Sequence, residues 1–589
     1  MKILNLLATV LHLEENKKSI WKRYRLNMWQ TMWLFFLVVA LQCIVNFYAH
    51  EVNATAKASI IALFSSTFRS ILWGIFIWHL GALIRSTMLK MKWIGYSLLI
   101  LGATIVYFFE FILLNLYGLL YNPSIAQILA GTNPNETSEF LDTIPFSSVL
   151  TPISYYLAVI LLSYGISHLT KKSYRALRSI FVIGSLAIVA ISWAYIIPRS
   201  YQRIFEIGSM ADELIGPYDR LIGNTKSFLV GSKATEEGVA RIKNHRTQVV
   251  KTKEALIDVS IVVIVGETLR RDYLHCYGYP LENSPHIDYL HKQGLLTLYA
   301  DAVSPTPATV GSITRMFSFY LNDKGQKEWY DYPSIITLLS QGGYRTNWTS
   351  NQEVYGVYAQ PIKVFSELSD SHFFLKNKKD TKEKNQDYYD EKVLPFLEHI
   401  QDARKAGNEN LFQVIHLMGS HATYNERYPK EFKRFEAKDI PKKLPTKHKQ
   451  IIAEYVNSIY YNDYVVGKII EQYSREKSIV LYFSDHGEVL FDDPKRPDFF
   501  GHALERVGVS IPFMVYLSPS MRQAYPKLAM RIEKNKEYPI MLDQLSHTLL
   551  DLAGLQCKYS DATQAFFSPQ FNYKRPRLVQ GLNKEMKQF

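Results

Sequence analysis

The chain has 589 residues, 48% of them hydrophobic and 14% aromatic, and its 67 Lys and Arg against 54 Asp and Glu leave a net charge of +13. That length exceeds one ordinary core, so two or more units are expected. Three cysteines exclude a disulfide framework and leave at most a pairing of Cys276 with Cys557, and the positive charge of so apolar a chain is assigned to topology and anionic lipid, not to nucleic acid.

A charged N-terminal segment, residues 1–27, precedes five apolar segments of spanning length: Met28 to Tyr48, Ile60 to Ile84, Trp93 to Leu120, Val149 to Thr170 and Arg178 to Pro198. No small-residue cleavage site follows the first, so it reads as an anchor. Lys17, Lys18, Lys22, Arg23 and Arg25 precede the first span; Arg85, Lys90 and Lys92 join the second to the third; Lys171, Lys172, Arg175 and Arg178 join the fourth to the fifth. By the positive-inside rule the N-terminus is cytoplasmic and everything after Pro198 lies outside. Residues 28–198 are thus expected to form a transmembrane domain.

Two charges fall within spans. Arg69 lies 16 residues before Arg85 and Glu110 lies 18 after Lys92, which places both roughly 25 Å from the cytoplasmic side. Equal depth on neighbouring helices suggests an ion pair or a shared polar site, with separate snorkelling as the other reading. The polar stretch 121–148 is read as an outer-side segment, a short helix or a loop. Residues 199–256 are read as a bridge of helices broken at Gly216-Pro217 and Gly223-Asn224.

From residue 257 to 589 the pattern becomes that of an α/β domain with helices on both faces of a sheet. "VSIVVIVGET", "GYRTNWTS", "LFQVIHLMGSH", "SIVLYFSDHGE" and "IPFMVYLSP" are strand-like, and Ile261 to Val265 and Ile479 to Phe483 are apolar at almost every position, as buried parallel strands are. Ligands of such sheets gather beyond the carboxyl ends of the strands. There the chain places Glu267, His421, Asp485 and His486, with His502 a loop further on. Two carboxylates and an imidazole suit Zn²⁺, and the other imidazoles suit phosphate or a second metal. His416 is read as a satisfied strand histidine.

The segment "DAVSPTPATVGSITRMFSFY" supplies hydroxyls at Ser304, Thr306, Thr309, Ser312 and Thr314. A hydroxyl beside Zn²⁺ can ionise near neutral pH and attack phosphorus. If Thr309 opens a helix, the helix amides also favour a phosphoryl group there, although a threonine in that place can equally be a simple cap.

In this order, "VVIVGETLR", "TVGSITRMFS", "HLMGSHATYNERYP" and "YFSDHGE" resemble the membrane-bound phosphoethanolamine transferases of the Gram-negative envelope, built on the sulfatase and alkaline-phosphatase fold. The resemblance extends over nearly the whole chain, including "GTNPNETSEF". It implies an N-terminal five-helix transmembrane bundle and a C-terminal sulfatase-like zinc domain, with one tightly bound zinc and room for a second. It implies that Glu267, Asp485 and His486 bind zinc and that Thr309 is the zinc-activated nucleophile. His421 and His502 would bind substrate phosphate, assist proton transfer or hold the second zinc. Asn351, Glu110, Thr132, Asn133 and Glu136 would contact substrate. The implied reaction moves phosphoethanolamine from phosphatidylethanolamine through a phosphothreonine intermediate to lipopolysaccharide or a periplasmic glycan, catalysed by an inner-membrane monomer whose catalytic domain is periplasmic.

Relatives that modify lipid A carry disulfides around the nucleophile loop, where this chain has Pro305 and Arg315, and some carry a Lys where it has Asn351, Gln352 and Glu353. Both departures point toward cysteine-poor relatives acting on core sugars or glucans. Two rivals stand beside this reading: a phosphoglycerol transferase of the lipoteichoic acid synthase type, and a catalytically silent lipid-binding envelope protein. A sulfatase activity lacks its Cys/Ser-x-Pro-x-Arg segment at Thr309.

Overall fold

The computed structural model describes residues 17–53, 56–87, 92–117, 119–131, 144, 146–170, 216–324, 327–352, 359–375, 388–407, 409–494, 496–582 and 585–589. The chain divides into two units, residues 1–126 with 144–229, and residues 127–143 with 230–589.

In the first unit a polar helix, α1 (Lys17–Gln30), ends at a turn on Thr31 and is followed by α2 (Met32–Asn53), α3 (Ala56–Thr87), α4 (Lys92–Tyr117) and α5 (Phe146–Thr170). The first apolar span accordingly starts at Met32, four residues later than the expected Met28. Among the described residues three helices are long and apolar enough to cross a membrane, Met32–Ala49, Leu63–Thr87 and Trp93–Leu116, while the apolar part of α5, Ser148–Ser163, is shorter. The expected fifth span lies outside the described residues. Phe64, Phe68, Leu98, Ile105 and Leu161 are exposed on these helices, as side chains facing lipid are.

Within the stretch 121–148 a short helix, Pro123–Gly131, begins where the Asn122 side chain accepts the Ile125 N–H. Helix α6 (Pro217–Asn244) starts at the expected Gly216-Pro217 break but runs unbroken through Gly223-Asn224. Tertiary contact overrides the weak local propensity of that pair. Asn224 Nδ2 donates to the Tyr121 carbonyl at 2.7 Å, and Thr225 meets the Tyr121 hydroxyl at 2.8 Å.

Arg69 and Glu110 do not pair with each other; each faces the start of α6. Arg220 Nε lies 3.0 Å from Glu110 Oε1, and Arg69 Nη1 lies 3.9 Å from Asp219 Oδ2, while Trp73 Nε1 donates to Asp219 Oδ1 at 3.1 Å. Among the described residues the shared polar site of the sequence reading therefore gathers four charges, two of each sign, and the adjacent residues Asp219 and Arg220 join its halves.

The second unit is built on seven strands: β1 (Ser260–Gly266), β2 (Leu296–Leu298), β3 (Tyr344–Ser350), β4 (Ser371–Phe374), β5 (Asn410–His416), β6 (Ser478–Ser484) and β7 (Phe513–Leu517), in the order β2-β7-β6-β1-β5-β3-β4. Strands β4, β3, β5, β1 and β6 run parallel to one another, whereas β7, the "IPFMVYLSP" run, is antiparallel to β6. Alternation along β1 sends Ile261, Val263 and Val265 into one core, with Ile313, Phe317 and Trp348, and Val262 and Ile264 into the other, with Ile452, Val456 and Ile459. A strand buried on both faces must be apolar throughout, and each such side chain contributes about 1.5–3 kcal/mol. Cys43, Cys276 and Cys557 are unpaired, so the possible Cys276–Cys557 bridge does not form.

Candidate metal centre and nucleophile

The register of the parallel strands assembles the site. Gly266 pairs with Ser484, and Val265 with Phe483 and His416, so the residues that follow, Glu267, Asp485 and Leu417, emerge side by side at one edge. Gly419 closes over them with φ of 53°, where a Cβ would stand 2.8 Å from the Glu267 nitrogen. Only glycine tolerates both the left-handed backbone and that approach.

Glu267, Asp485 and His486 are fully buried, with ligand atoms within 4.8 Å of one another. His486 Nε2 lies 3.2 Å from Glu267 Oε1 and 3.5 Å from Asp485 Oδ2. Its Nδ1 bonds the Gly487 carbonyl at 2.8 Å, an arrangement that leaves Nε2 for a metal. Asp485 Oδ1 accepts the N–H groups of His486 and Thr268, whereas Oδ2 is buried and accepts none. A carboxylate oxygen in that state lacks a cation. Burial opposes ionisation of Glu267, but the bond and charge of His486 outweigh it and hold that carboxyl low. Burial and the Glu267 charge push Asp485 up. His486 is carried up to about 10, burial being overcome by Asp485 and Glu267. The proton on His486 thus balances part of the negative charge, and the donors fit a divalent ion such as Zn²⁺.

Thr309 is the first residue of helix α7 (Thr309–Met316), and Ala308, in extended conformation, holds the cap position. The Thr309 hydroxyl is therefore not spent on capping. Its Oγ1 lies 3.2 Å from each oxygen of Glu267 and 3.4 Å from His486 Nε2. Helical bonding starts with the Ser312 N–H on the Ala308 carbonyl, so the amides of residues 309–311 have no partner within the helix.

Where a disulfide was missing in the sequence, a polar brace supports this loop. Arg315 is buried and donates to Asn322 Oδ1, the Gly311 carbonyl and Gln580 Oε1 at 2.5, 2.9 and 2.5 Å. Asn322 in turn holds the carbonyls of Pro305 and Leu578.

His502 sits with its ring centroid 4.2 Å from that of His486 and its Nε2 3.8 Å from Glu488 Oε2. Desolvation, then the His486 charge, hold the His502 imidazole well below its ordinary range, and His421 is close enough to act on both His502 and Glu267. Glu488, a residue of metal-ligand type to which the sequence assigned no role, is fully buried, takes a 2.6 Å bond from the Tyr424 hydroxyl, and is pushed up to about 8, mainly by burial.

Asn351, expected at the substrate, turns away: it is buried, with Nδ2 on the Tyr388 carbonyl and Asp390 Oδ1. The next residue, Gln352, reaches the centre instead, donating to Glu267 Oε2 at 3.3 Å and to the Leu417 carbonyl at 2.9 Å. His416 is buried, but neither ring nitrogen has a hydrogen-bond partner among the described residues, contrary to the reading of a satisfied strand histidine. Glu110 belongs to the first unit, in its ion pair with Arg220, and Thr132, Asn133 and Glu136 lie outside the described residues.

A parallel sheet whose strand ends gather two carboxylates, an imidazole and a helix-borne threonine defines a class, and comparison with known proteins agrees. The sulfatase family matches residues 260–555, and the chain belongs to it. Phosphoethanolamine transferase EptC of Escherichia coli K12 is 26% identical over 475 residues, covering 77% of this chain and 79% of its own. The crystal structure of the C-terminal periplasmic domain of E. coli EptC in complex with Zn superposes with a TM-score of 0.52 at 26% identity, over 58% of this chain and 95% of that one. The integral membrane protein lipooligosaccharide phosphoethanolamine transferase A from Neisseria meningitidis gives 0.56 at 16% identity, over 90% and 97%, and shows a shared fold.

Proposed function

We propose that the chain is a zinc-dependent transferase that moves phosphoethanolamine from phosphatidylethanolamine to an oxygen of a lipopolysaccharide or periplasmic glycan acceptor, through a covalent adduct on Thr309. The observation that carries the reading is the position of Thr309 Oγ1, at 3.2 Å from both Glu267 oxygens and 3.4 Å from His486 Nε2, on the first residue of a helix. A threonine that served packing alone would need neither group. The relatives named phosphoethanolamine transferases support the transferred group, and the Zn complex of the E. coli domain supports the metal. The periplasmic location of that domain and the charges flanking the spans support an inner-membrane protein with its catalytic domain in the periplasm.

Glu267, Asp485, His486 and Thr309 would hold the ion. When bound, Zn²⁺ supplies the Lewis acidity that lets a hydroxyl ionise near neutral pH. In the first step Thr309 Oγ1 bonds to the donor phosphorus as the bond to the glyceryl oxygen breaks, and that oxygen takes a proton from the His421 imidazole to leave as diacylglycerol. The amides at the start of α7, without partners inside the helix, would receive the phosphoryl oxygens. In the second step an acceptor hydroxyl bonds to phosphorus as the Thr309 ester breaks, and the same imidazole recovers the proton. Holding the group covalently keeps it from free water between the two substrates.

The test is peptide mapping by mass spectrometry of detergent-purified protein incubated with phosphatidylethanolamine. A phosphoethanolamine adduct on Thr309, absent from Thr309→Ala, is the expected result. An adduct formed only from phosphatidylglycerol would make the chain a phosphoglycerol transferase, and no adduct from either lipid in zinc-loaded protein would overturn the covalent route.

A further inference from the structure

Thr268 follows Glu267 and is fully buried, with φ of 58°. A β-branched residue in the left-handed region is a genuine outlier and persists only where its surroundings over-determine it. Here they do. The Tyr455 hydroxyl donates to the Thr268 carbonyl at 2.9 Å and accepts the Arg270 N–H at 2.9 Å, while the Leu269 N–H donates to Ser484 Oγ at 2.8 Å. The Ser420 N–H fixes the Glu267 carbonyl at 3.0 Å.

The strained turn directs two donors of one residue at two different carboxylates. Thr268 Oγ1 donates to Glu267 Oε1 at 2.8 Å, and the Thr268 N–H donates to Asp485 Oδ1 at 3.1 Å. With Oδ1 of Asp485 engaged, the unpartnered Oδ2 is the atom left toward His486. With Oε1 of Glu267 engaged, the carboxylate plane is fixed beneath the Thr309 hydroxyl. Two buried carboxylates this close repel each other, and an unrestrained pair would rotate apart.

We propose that Thr268 is a positioning residue of the metal centre, whose left-handed backbone and hydroxyl together hold Glu267 and Asp485 in the orientation that binds the ion. The proposal rests on the metal reading above. Outer-shell partners of metal ligands characteristically govern affinity by about 10–100-fold.

The experiment measures zinc dissociation constants of the full-length protein in detergent, by competition with a chromophoric chelator, for wild type, Thr268→Ser, Thr268→Ala and Thr268→Val, with the melting temperature of each metal-free protein alongside. Serine and alanine both lose the methyl group, so their difference isolates the hydroxyl, and valine keeps the shape without it. The expected result is about 10–100-fold weaker zinc binding for alanine and valine, binding within about 3-fold of wild type for serine, and metal-free melting temperatures that do not follow this order. Should valine fail to fold, the serine and alanine pair decides. Equal affinities for serine and alanine would overturn the role of Thr268 alone, whereas a wild-type protein that binds no zinc would overturn the metal reading itself.

Discussion

In the membrane-spanning unit both buried carboxylates among the described residues face a guanidinium, Glu110 facing Arg220 and Asp219 facing Arg69. At the sheet edge Glu267, Asp485 and Glu488 are just as buried, yet imidazoles rather than guanidiniums stand against them. Charge matched in place completes a structure. Charge left in excess marks where a cation is to be received, because burying unpaired carboxylates costs several kcal/mol per group.

The largest effect expected from breaking this contrast is at the excess. Asp485→Asn keeps the size of the side chain and removes its charge, and should lower donor cleavage by about 10³-fold or more while the metal-free fold survives; diacylglycerol release and bound-zinc analysis measure it. Next comes the matched cluster. Glu110→Gln strands Arg220 and should destabilise the protein by about 3–5 kcal/mol, read as a lower melting temperature in detergent, whereas Glu110→Gln with Arg220→Met should recover much of that loss.

The third prediction uses pH. In the metal-free protein His486 keeps its proton to about 10, because Asp485 and Glu267 overcome the effect of burial, and Asp485 is raised by burial and by Glu267. Both protons must leave for the ligands to bind, so apparent zinc affinity should fall by roughly 10- to 100-fold for each pH unit lowered from 8 to 6. For stability the sign is opposite. Raised folded-state pKa values stabilise the metal-free protein at low pH and lose that contribution as pH rises through them, so the difference in melting temperature between loaded and metal-free protein should widen toward alkaline pH. The smallest effect concerns the brace: Arg315→Met removes hydrogen bonds to Asn322, Gly311 and Gln580 and should cost about 1–3 kcal/mol, with a loss in diacylglycerol release smaller than that of Asp485→Asn.

What the sequence disclosed follows from the same physics. Glu267, Asp485 and His486 were legible because strands apolar on both faces end abruptly in charge, and parallel register carries those ends to one edge. Thr309 was legible as a hydroxyl at a helix start, but only the structure separates it from a cap, by placing Ala308 there. Asn351 was mistaken for Gln352 because one residue of difference beyond a strand end decides whether a side chain meets Asp390 or Glu267, and no local pattern reports it. Thr268 left no trace in residue type, since its distinction lies in a backbone angle. The partners of Arg69 and Glu110 were hidden for another reason: equal depth names candidates, but Asp219 and Arg220 come from a helix whose docking depends on contacts more than a hundred residues apart in sequence.

The support of Thr309 by a guanidinium has a consequence for where and when this enzyme can be made. Arg315, Asn322 and Gln580 hold the loop without sulfur, the proposed ligands are oxygen and nitrogen, and all three cysteines are unpaired. Neither thiol reductants nor the oxidising machinery of the envelope acts on such a centre, so it should mature correctly in a reducing expression host and keep its geometry under oxidative stress that would modify a thiolate-bound metal.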